Sequence, residues 1–188
     1  FGGDDTVSDH RQAAAEKGLT PREHCDHYVE NFKRFWRELG IDYDYFIRTT
    51  DEAHEKAVRH ALTVLYDTGK IYRDEYSGWY CTPCERFWTE KDLEDGNCPE
   101  CGRPVSELTE KNYFFRMSDY QDWLIGHIEK NPDFIQPRAR RNEILGFLKK
   151  TLGDLCISRP KSRLSWGIEL PFDEDYVCYV WFDALLNY

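Results

Sequence analysis

The chain reads as an α/β protein in which helices flank a small cysteine-bearing β module and a buried strand follows near the end. Three observations carry that reading. Cys81, Cys84, Cys98 and Cys101 fall in two C-x-x-C pairs, Cys-Thr-Pro-Cys and Cys-Pro-Glu-Cys, with thirteen residues between them. Segments on both sides carry apolar residues at three- and four-residue spacing, opened by helix-cap signals. Tyr176 to Phe182 alternates aromatic and β-branched residues without a polar break, as a strand buried inside a parallel sheet does. The module therefore looks like an insertion into an α/β fold, entered at one strand and left at another.

From the N-terminus, Asp9 to Lys17 reads as a short helix ended by Gly18. Thr20-Pro21-Arg22-Glu23 has Thr20 as N-cap, Pro21 at the first helical position and Glu23 returning to the cap. The helix that follows places Tyr28, Phe32, Phe35, Trp36 and Leu39 on one stripe and stops at Gly40. Tyr43 to Ile47 is extended. Thr49-Thr50-Asp51 opens a helix with Ala53, Ala57, Ala61, Leu62 and Leu65 on its apolar stripe and Gly69 as its stop. Short β-type runs then appear at Ile71–Tyr76, Trp79–Tyr80, Phe87–Thr89 and Tyr113–Arg116, broken by the cysteine pairs. Ser118, with Gln121 as reciprocal partner, starts a helix through Trp123 and Ile128 to about Asn131. Pro137 starts another that runs to about Leu152 or Gly153. Phe182 to Tyr188 is an apolar, helix-like run, and both chain ends read as cut.

Thiolates are soft anionic ligands, and two C-x-x-C turns facing each other supply a closed Cys₄ shell for Zn²⁺. Four thiolates leave no position for water, so such an ion would be structural. Two disulfides or four unrelated thiols are the competing accounts. Cys25, Cys156 and Cys178 bring the total to seven, an odd number that fits a reducing cytosol better than a secreted disulfide scaffold. A length of 188 residues allows one or two domains with a real core. No apolar run approaches the ~20 residues of a membrane span, and no signal-peptide pattern opens the chain. The net charge of −10 excludes a surface basic throughout, yet a local cluster exists in Arg138, Arg140, Arg141, Lys149 and Lys150. That cluster is either a phosphate-binding patch or a solvated helix face.

Several segments, in one order, resemble the methionyl-tRNA synthetases, a family of class I aminoacyl-tRNA synthetases. They are Asp44-Tyr45-Phe46-Ile47-Arg48-Thr49-Thr50, Gly78-Trp79-Tyr80-Cys81, Asn112-Tyr113-Phe114-Phe115-Arg116 and Asn131-Pro132-Asp133-Phe134-Ile135-Gln136-Pro137. Later come Cys156-Ile157-Ser158-Arg159, Trp166-Gly167-Ile168-Glu169-Leu170-Pro171 and Tyr179-Val180-Trp181-Phe182-Asp183-Ala184. The similarity runs from about Ala13 onward, and the single knuckle is similar to the bacterial branch with one zinc site. It implies the central part of a Rossmann-type catalytic domain interrupted by a zinc-knuckle connective peptide. The implied divisions are residues 1–70 for the helical part of the catalytic core, 71–116 for the knuckle insertion, and 117–188 for the returning helices and strand.

The resemblance further implies activation of methionine by ATP with Mg²⁺ to methionyl-adenylate, then transfer to tRNA(Met), in the cytoplasm and away from membranes. It places the methionine pocket on Trp181, Ala184 and Tyr188, where aromatic walls suit a polarizable thioether. Without it, Trp181 and Tyr179 read as core packing. Arg159 falls where the family pairs an arginine with an acid that meets the substrate's ammonium group; Asp4 and Asp5 are the candidate acids. The basic residues from Arg138 to Lys150 are implied contacts for the tRNA acceptor end. At the N-terminus the family's Thr-Gly-Thr-Asp-Glu-His-Gly corresponds to Phe1-Gly2-Gly3-Asp4-Asp5-Thr6-Val7, so its histidine and second glycine are replaced. That departure motivates one alternative, a divergent paralogue with another substrate. The other alternative is a stand-alone zinc ribbon that binds nucleic acid or protein. The family's His-Ile-Gly-His and Lys-Met-Ser-Lys-Ser segments do not occur in these residues, so the catalytic residues are not identified. The isolated chain is expected to fold around zinc without activating methionine.

Overall fold

The computed structural model describes residues 13–84 and 86–187, together with the backbone of residues 2–3. In chain order the elements are β1 (Gly2–Gly3), α1 (Pro21–Glu38), β2 (Ile47–Arg48), α2 (Glu52–Asp67), β3 (Ile71–Cys81), β4 (Arg86–Trp88) and β5 (Ser106–Phe115). There follow α3 (Gln121–Lys130), α4 (Arg138–Leu148), β6 (Leu155–Cys156), β7 (Ser158–Pro160), β8 (Glu169–Leu170), β9 (Asp173–Cys178) and α5 (Val180–Leu185). β1 and β2 form a parallel pair, β4-β3-β5-β6 an antiparallel sheet, and β7-β9-β8 a second antiparallel sheet.

Of the short runs expected in the cysteine region, Phe87–Thr89 falls on the short strand β4, Ile71–Tyr76 and Trp79–Tyr80 merge into the long strand β3, and Tyr113–Arg116 is only the end of the long strand β5. β3 and β5 pair without interruption from Ile71 opposite Phe115 to Tyr80 opposite Ser106. Glu107 to Lys111 has little intrinsic β preference, but β5 lies between β3 and β6. Cross-strand contacts such as Ser77 Oγ to Thr109 Oγ1 at 2.7 Å override the composition. The two strands carry the knuckle at one end and reach the core at the other. There Ile71 and Tyr113 pack with Val58 and Leu62 of α2, Ile157, Ile168, Leu170, Tyr176, Cys178 and Phe182.

Tyr176 to Phe182 is not one strand of a parallel sheet. β9 is antiparallel to both neighbours and ends at Cys178; Tyr179 caps a helix from Val180. The run is apolar throughout because Tyr176 to Val180 are all buried, first in the middle of a three-stranded sheet and then at a helix start. Asp183 N–H donating to Tyr179 O closes the first turn.

The Thr20 capping box forms as expected, with Glu23 N–H donating to Thr20 Oγ1 and Thr20 N–H donating to Glu23 Oε2. Farther along α1 the buried row is His24, Cys25 and Val29, while Phe32, Phe35 and Leu39 are more than half exposed. α2 likewise buries His54, Val58 and Leu62 and leaves Ala53 and Ala57 outside. Larger side chains gain more by burial than alanine, so they set the rotation of the helix.

Ser118 is no N-cap. It lies in a 3₁₀ turn, and its Oγ and N–H both donate to Asp154 Oδ1, at 2.6 and 3.0 Å. Gln121 instead ties the end of α4, donating to Leu148 O and Lys150 O and accepting from Leu152 N–H. This anchorage stops α4 at Leu148, short of Leu152. Asp154 also accepts from Tyr72 Oη at 2.9 Å. Burial opposes its charge, but the donors from Ser118 and Tyr72 outweigh it and hold the carboxyl below its usual range. A carboxylate depressed in the folded state stabilises above its unfolded value of ~3.9, and that stabilisation disappears as pH falls through the folded value. Asp154→Asn should therefore cost on the order of 2 kcal/mol near neutral pH, with the deficit closing in acid, by urea unfolding at both ends of the range.

Candidate metal centre and adjoining cleft

Cys81 ends β3, Cys84 follows in the turn to β4, and Cys98 and Cys101 occupy a second turn. Gly102 N–H donates to Cys98 O and Cys98 N–H to Arg103 O, closing that turn. Gly96 and Gly102 both have left-handed backbones, at φ 76° and 68°, a conformation that glycine adopts without steric cost. The four Sγ atoms lie within 4.8 Å of one another, with Cys81 to Cys101 at 3.5 Å and Cys84 to Cys98 at 3.8 Å. Four thiolates at zinc-bond length on tetrahedral corners stand roughly 3.8 Å apart. A disulfide requires about 2.05 Å, and all seven cysteines are free.

Electrostatics point the same way. Burial pushes the Cys81 thiol up, and the hydrogen bond with Cys101 together with burial pushes Cys84 up. At Cys98 burial works against ionisation, but backbone N–H groups of Cys101 and Glu100 outweigh it and bring the thiol down to about 7. Crowded sulfurs resist shared negative charge unless a cation sits between them.

Beside the knuckle opens a cleft of about 640 Å³. Tyr76, Cys84, Arg86, Phe87 and Glu100 line its knuckle side; Cys156, Arg159, Tyr179, Trp181 and Leu185 line the other. Trp181 is 55% exposed, on the outer side of α5, so it is a cleft residue and not core. Arg159 is only 2% exposed. Its guanidinium lies 3.8 Å from the Tyr179 ring centroid, and Nη1 donates to Ser158 O at 2.8 Å and to Cys156 Sγ at 3.2 Å. A buried cation held this way presents fixed positive charge at the cleft floor. Ala184 is half-buried on α5 and does not line the cleft. Asp4, Asp5 and Tyr188 lie outside the described residues. The preceding residue, Asn187, meets His54 Nδ1 through Oδ1 at 3.0 Å, tying the end of α5 to the start of α2.

The basic residues do not form one patch. Arg140 is ion-paired with Glu143, Arg141 donates to Ile128 O, and Lys149 and Lys150 stand beyond the far end of α4 from Arg138. Sequence reasoning missed Arg86, Phe87 and Glu100 as cleft residues. Their place depends on the hairpin folding back so that Phe87 meets Tyr76 and Tyr80 edge-on at 4.8 Å, which no local pattern announces.

Comparison with known proteins places this geometry. The family described as tRNA synthetases class I (M) matches residues 1–109 and 103–188. A methionine–tRNA ligase of Caldanaerobacter subterraneus is 54% identical over 178 residues, covering 95% of this chain and 28% of that protein. A methionine–tRNA ligase of Thermotoga maritima is 49% identical, covering 94% and 28%. The structure of Mycobacterium tuberculosis methionyl-tRNA synthetase bound by methionyl-adenylate superimposes with a TM-score of 0.88 at 42% identity, over 99% of this chain and 37% of that one. The chain thus spans little more than a quarter of the length of its curated relatives. On sequence and fold together, it belongs to the class I tRNA synthetases of the (M) family.

Proposed function

We propose that this chain is the central part of a methionine–tRNA ligase, which activates methionine with ATP and Mg²⁺ and transfers it to tRNA(Met) in the cytoplasm. The observation that carries the proposal is the cleft lined by buried Arg159 and exposed Trp181, in a chain about half identical to such ligases. Trp181 supplies an aromatic surface for the thioether. Ala184, one turn on along α5, shapes the pocket only through the helix, and Tyr188 is assigned to it on family resemblance alone. Arg159 orients Asp4 or Asp5, and that carboxylate receives the substrate ammonium. The methionine carboxylate then attacks the α-phosphorus in line and pyrophosphate leaves; positioning supplies most of the rate. Residues 1–70 and 117–188 serve the catalytic core and 71–116 the insertion.

Cys81, Cys84, Cys98 and Cys101 would hold Zn²⁺, which supplies a closed four-thiolate clamp and no open coordination position. The stand-alone ribbon has no support, since β3 and β5 continue from the knuckle into the core beside α2. Among the described residues, no helix is long and apolar enough to cross a membrane.

In this reading Arg138, Arg140, Arg141, Lys149 and Lys150 meet tRNA near its acceptor end as separate points along the α3–α4 hairpin and not as one patch. Charge reversal at Arg140 and Arg141 in the full-length protein should lower tRNA(Met) affinity. It should also flatten the dependence of log affinity on log salt by about 0.9 for each lost phosphate contact. Methionine charging of tRNA(Met) that proceeds normally in the double variant would assign both residues to a solvated face. No charging by the wild-type protein would contradict the function itself.

A further inference from the structure

We propose that the α3–α4 hairpin carries a stacking site for an unpaired nucleotide of RNA, centred on Trp123. This site rests on the tRNA reading above but uses none of the residues assigned to amino-acid activation. Trp123 and His127 stand one turn apart on α3, and their rings stack at 5.3 Å between centroids with planes 21° apart. Phe134, in the loop after α3, meets the His127 ring edge-on at 4.6 Å. The loop is itself held: Asn131 Nδ2 donates to His127 O at 2.8 Å, and Phe134 N–H donates to Asn131 O. The indole is thus braced from one side in a fixed orientation while remaining 64% exposed. Phe134 is 57% exposed, and a Cβ on the intervening Gly126 would meet nothing within 4 Å, so the surface beside the rings is open. A braced aromatic face with its outer side in water is what a nucleobase stacks on, at low ordering cost.

Charge selects RNA over another apolar partner. Residues 121–150 hold six basic and four acidic side chains in a chain with 25 basic and 35 acidic. Glu143 and Arg140 offset each other, Asp133 accepts from Gln136 Nε2, and Asp122 and Glu129 are exposed on α3, so the hairpin keeps a net excess of two positive charges within an acidic chain. The exposed cations bracket the rings at both ends. Gln121, two residues before Trp123, bonds the carbonyls of Leu148 and Lys150 and so brings Lys149 and Lys150 beside the first turn of α3. At the other end Lys130 shares the face of Trp123 and His127, at i+7 and i+3, and Arg138 lies one turn before Arg141, which bonds Ile128 O. α3 is ten residues long, so the bracketed span is ~15 Å, enough for a short stretch of single strand.

The test uses the full-length protein, with tRNA(Met) and a fluorescent single-stranded oligoribonucleotide as probes, by anisotropy across a salt series. Trp123→Ala should weaken both about tenfold with an unchanged salt slope, because stacking releases no counterions. Trp123→Phe should restore most of the loss, and Lys149→Glu with Lys150→Glu should weaken binding and flatten the slope. Methionine-dependent pyrophosphate exchange should be unmoved by either Trp123 variant. Affinity indifferent to Trp123→Ala, or a Trp123→Phe variant as weak as alanine with exchange falling in step, overturns the stacking site. If charge reversals at Arg140 and Arg141 still weaken tRNA binding, the broader reading survives that result. A wild-type protein that binds neither probe overturns both.

Discussion

Replacing Cys98 by serine in the full-length protein should abolish zinc retention by the four-cysteine cluster proposed to hold it and unfold the knuckle while leaving the core around Leu62 folded. The reasoning starts from size. Structural zinc in a four-ligand site contributes roughly 10–16 kcal/mol, comparable with the whole stability of a domain, about 5–15 kcal/mol. The segment between Cys84 and Cys98 holds one short strand, β4, and little buried apolar surface of its own. Cys98 is 1% exposed and sits in the second cysteine turn within 4.8 Å of the other three sulfurs, so a serine there removes one of the four thiolate ligands without opening the core. Hydrogen exchange should show residues 82–105 losing protection, with the paired ends of β3 and β5 near Ile71 and Phe115 keeping theirs. Because Arg86, Phe87 and Glu100 form one side of the cleft, amino-acid activation should fall at least tenfold although no substrate contact has been mutated. Unchanged protection with the metal gone would mean that the hairpin holds itself together.

Arg159→Ala should be the most damaging single change at the cleft. The side chain is nearly fully buried against Tyr179, with Tyr80 at 5.9 Å on another side. Truncation removes a desolvated cation–π contact of ~2 kcal/mol, leaves a cavity and reduces the side-chain donors to Ser158 O to the weak Cys156 thiol. In the proposed site it also frees the carboxylate that receives the substrate ammonium. The expected result is a rise in KM for methionine of about a hundredfold with KM for ATP nearly constant, from exchange kinetics. Arg159→Lys should fall between, since an ammonium keeps the charge but not the planar stack on Tyr179. Equal increases in both KM values would show a collapsed fold and not a lost amine site.

The features legible in the sequence were those set by near neighbours. The Thr20–Glu23 box, the glycine turns of the knuckle and the cysteine spacing each depend on a few adjacent residues, and all form. Features set by partners far along the chain were not legible. Glu107 to Lys111 carries no strand signal of its own and extends only because β3 is beside it. Gln121 resembles a capping partner for Ser118, yet its amide is taken by carbonyls near residue 150 and Ser118 by Asp154. On α1 the aromatic stripe was plain, but which of two adjacent rows meets the rest of the fold depends on where Val29 and Cys25 find company. The antiparallel pairing of β9 was hidden for the same reason: a continuous apolar run reports burial, not the direction of the neighbouring strands. At the cleft, the motif around Trp181 was readable and its knuckle-side lining was not, because that lining is set by the return of the β3–β4 hairpin.

The most direct test is ATP–pyrophosphate exchange by the full-length protein with each amino acid offered in turn. Exchange driven by methionine, and by other side chains only weakly, is the predicted outcome. Strong exchange with a different amino acid, or none with methionine while zinc is bound, would contradict the assignment of this cleft.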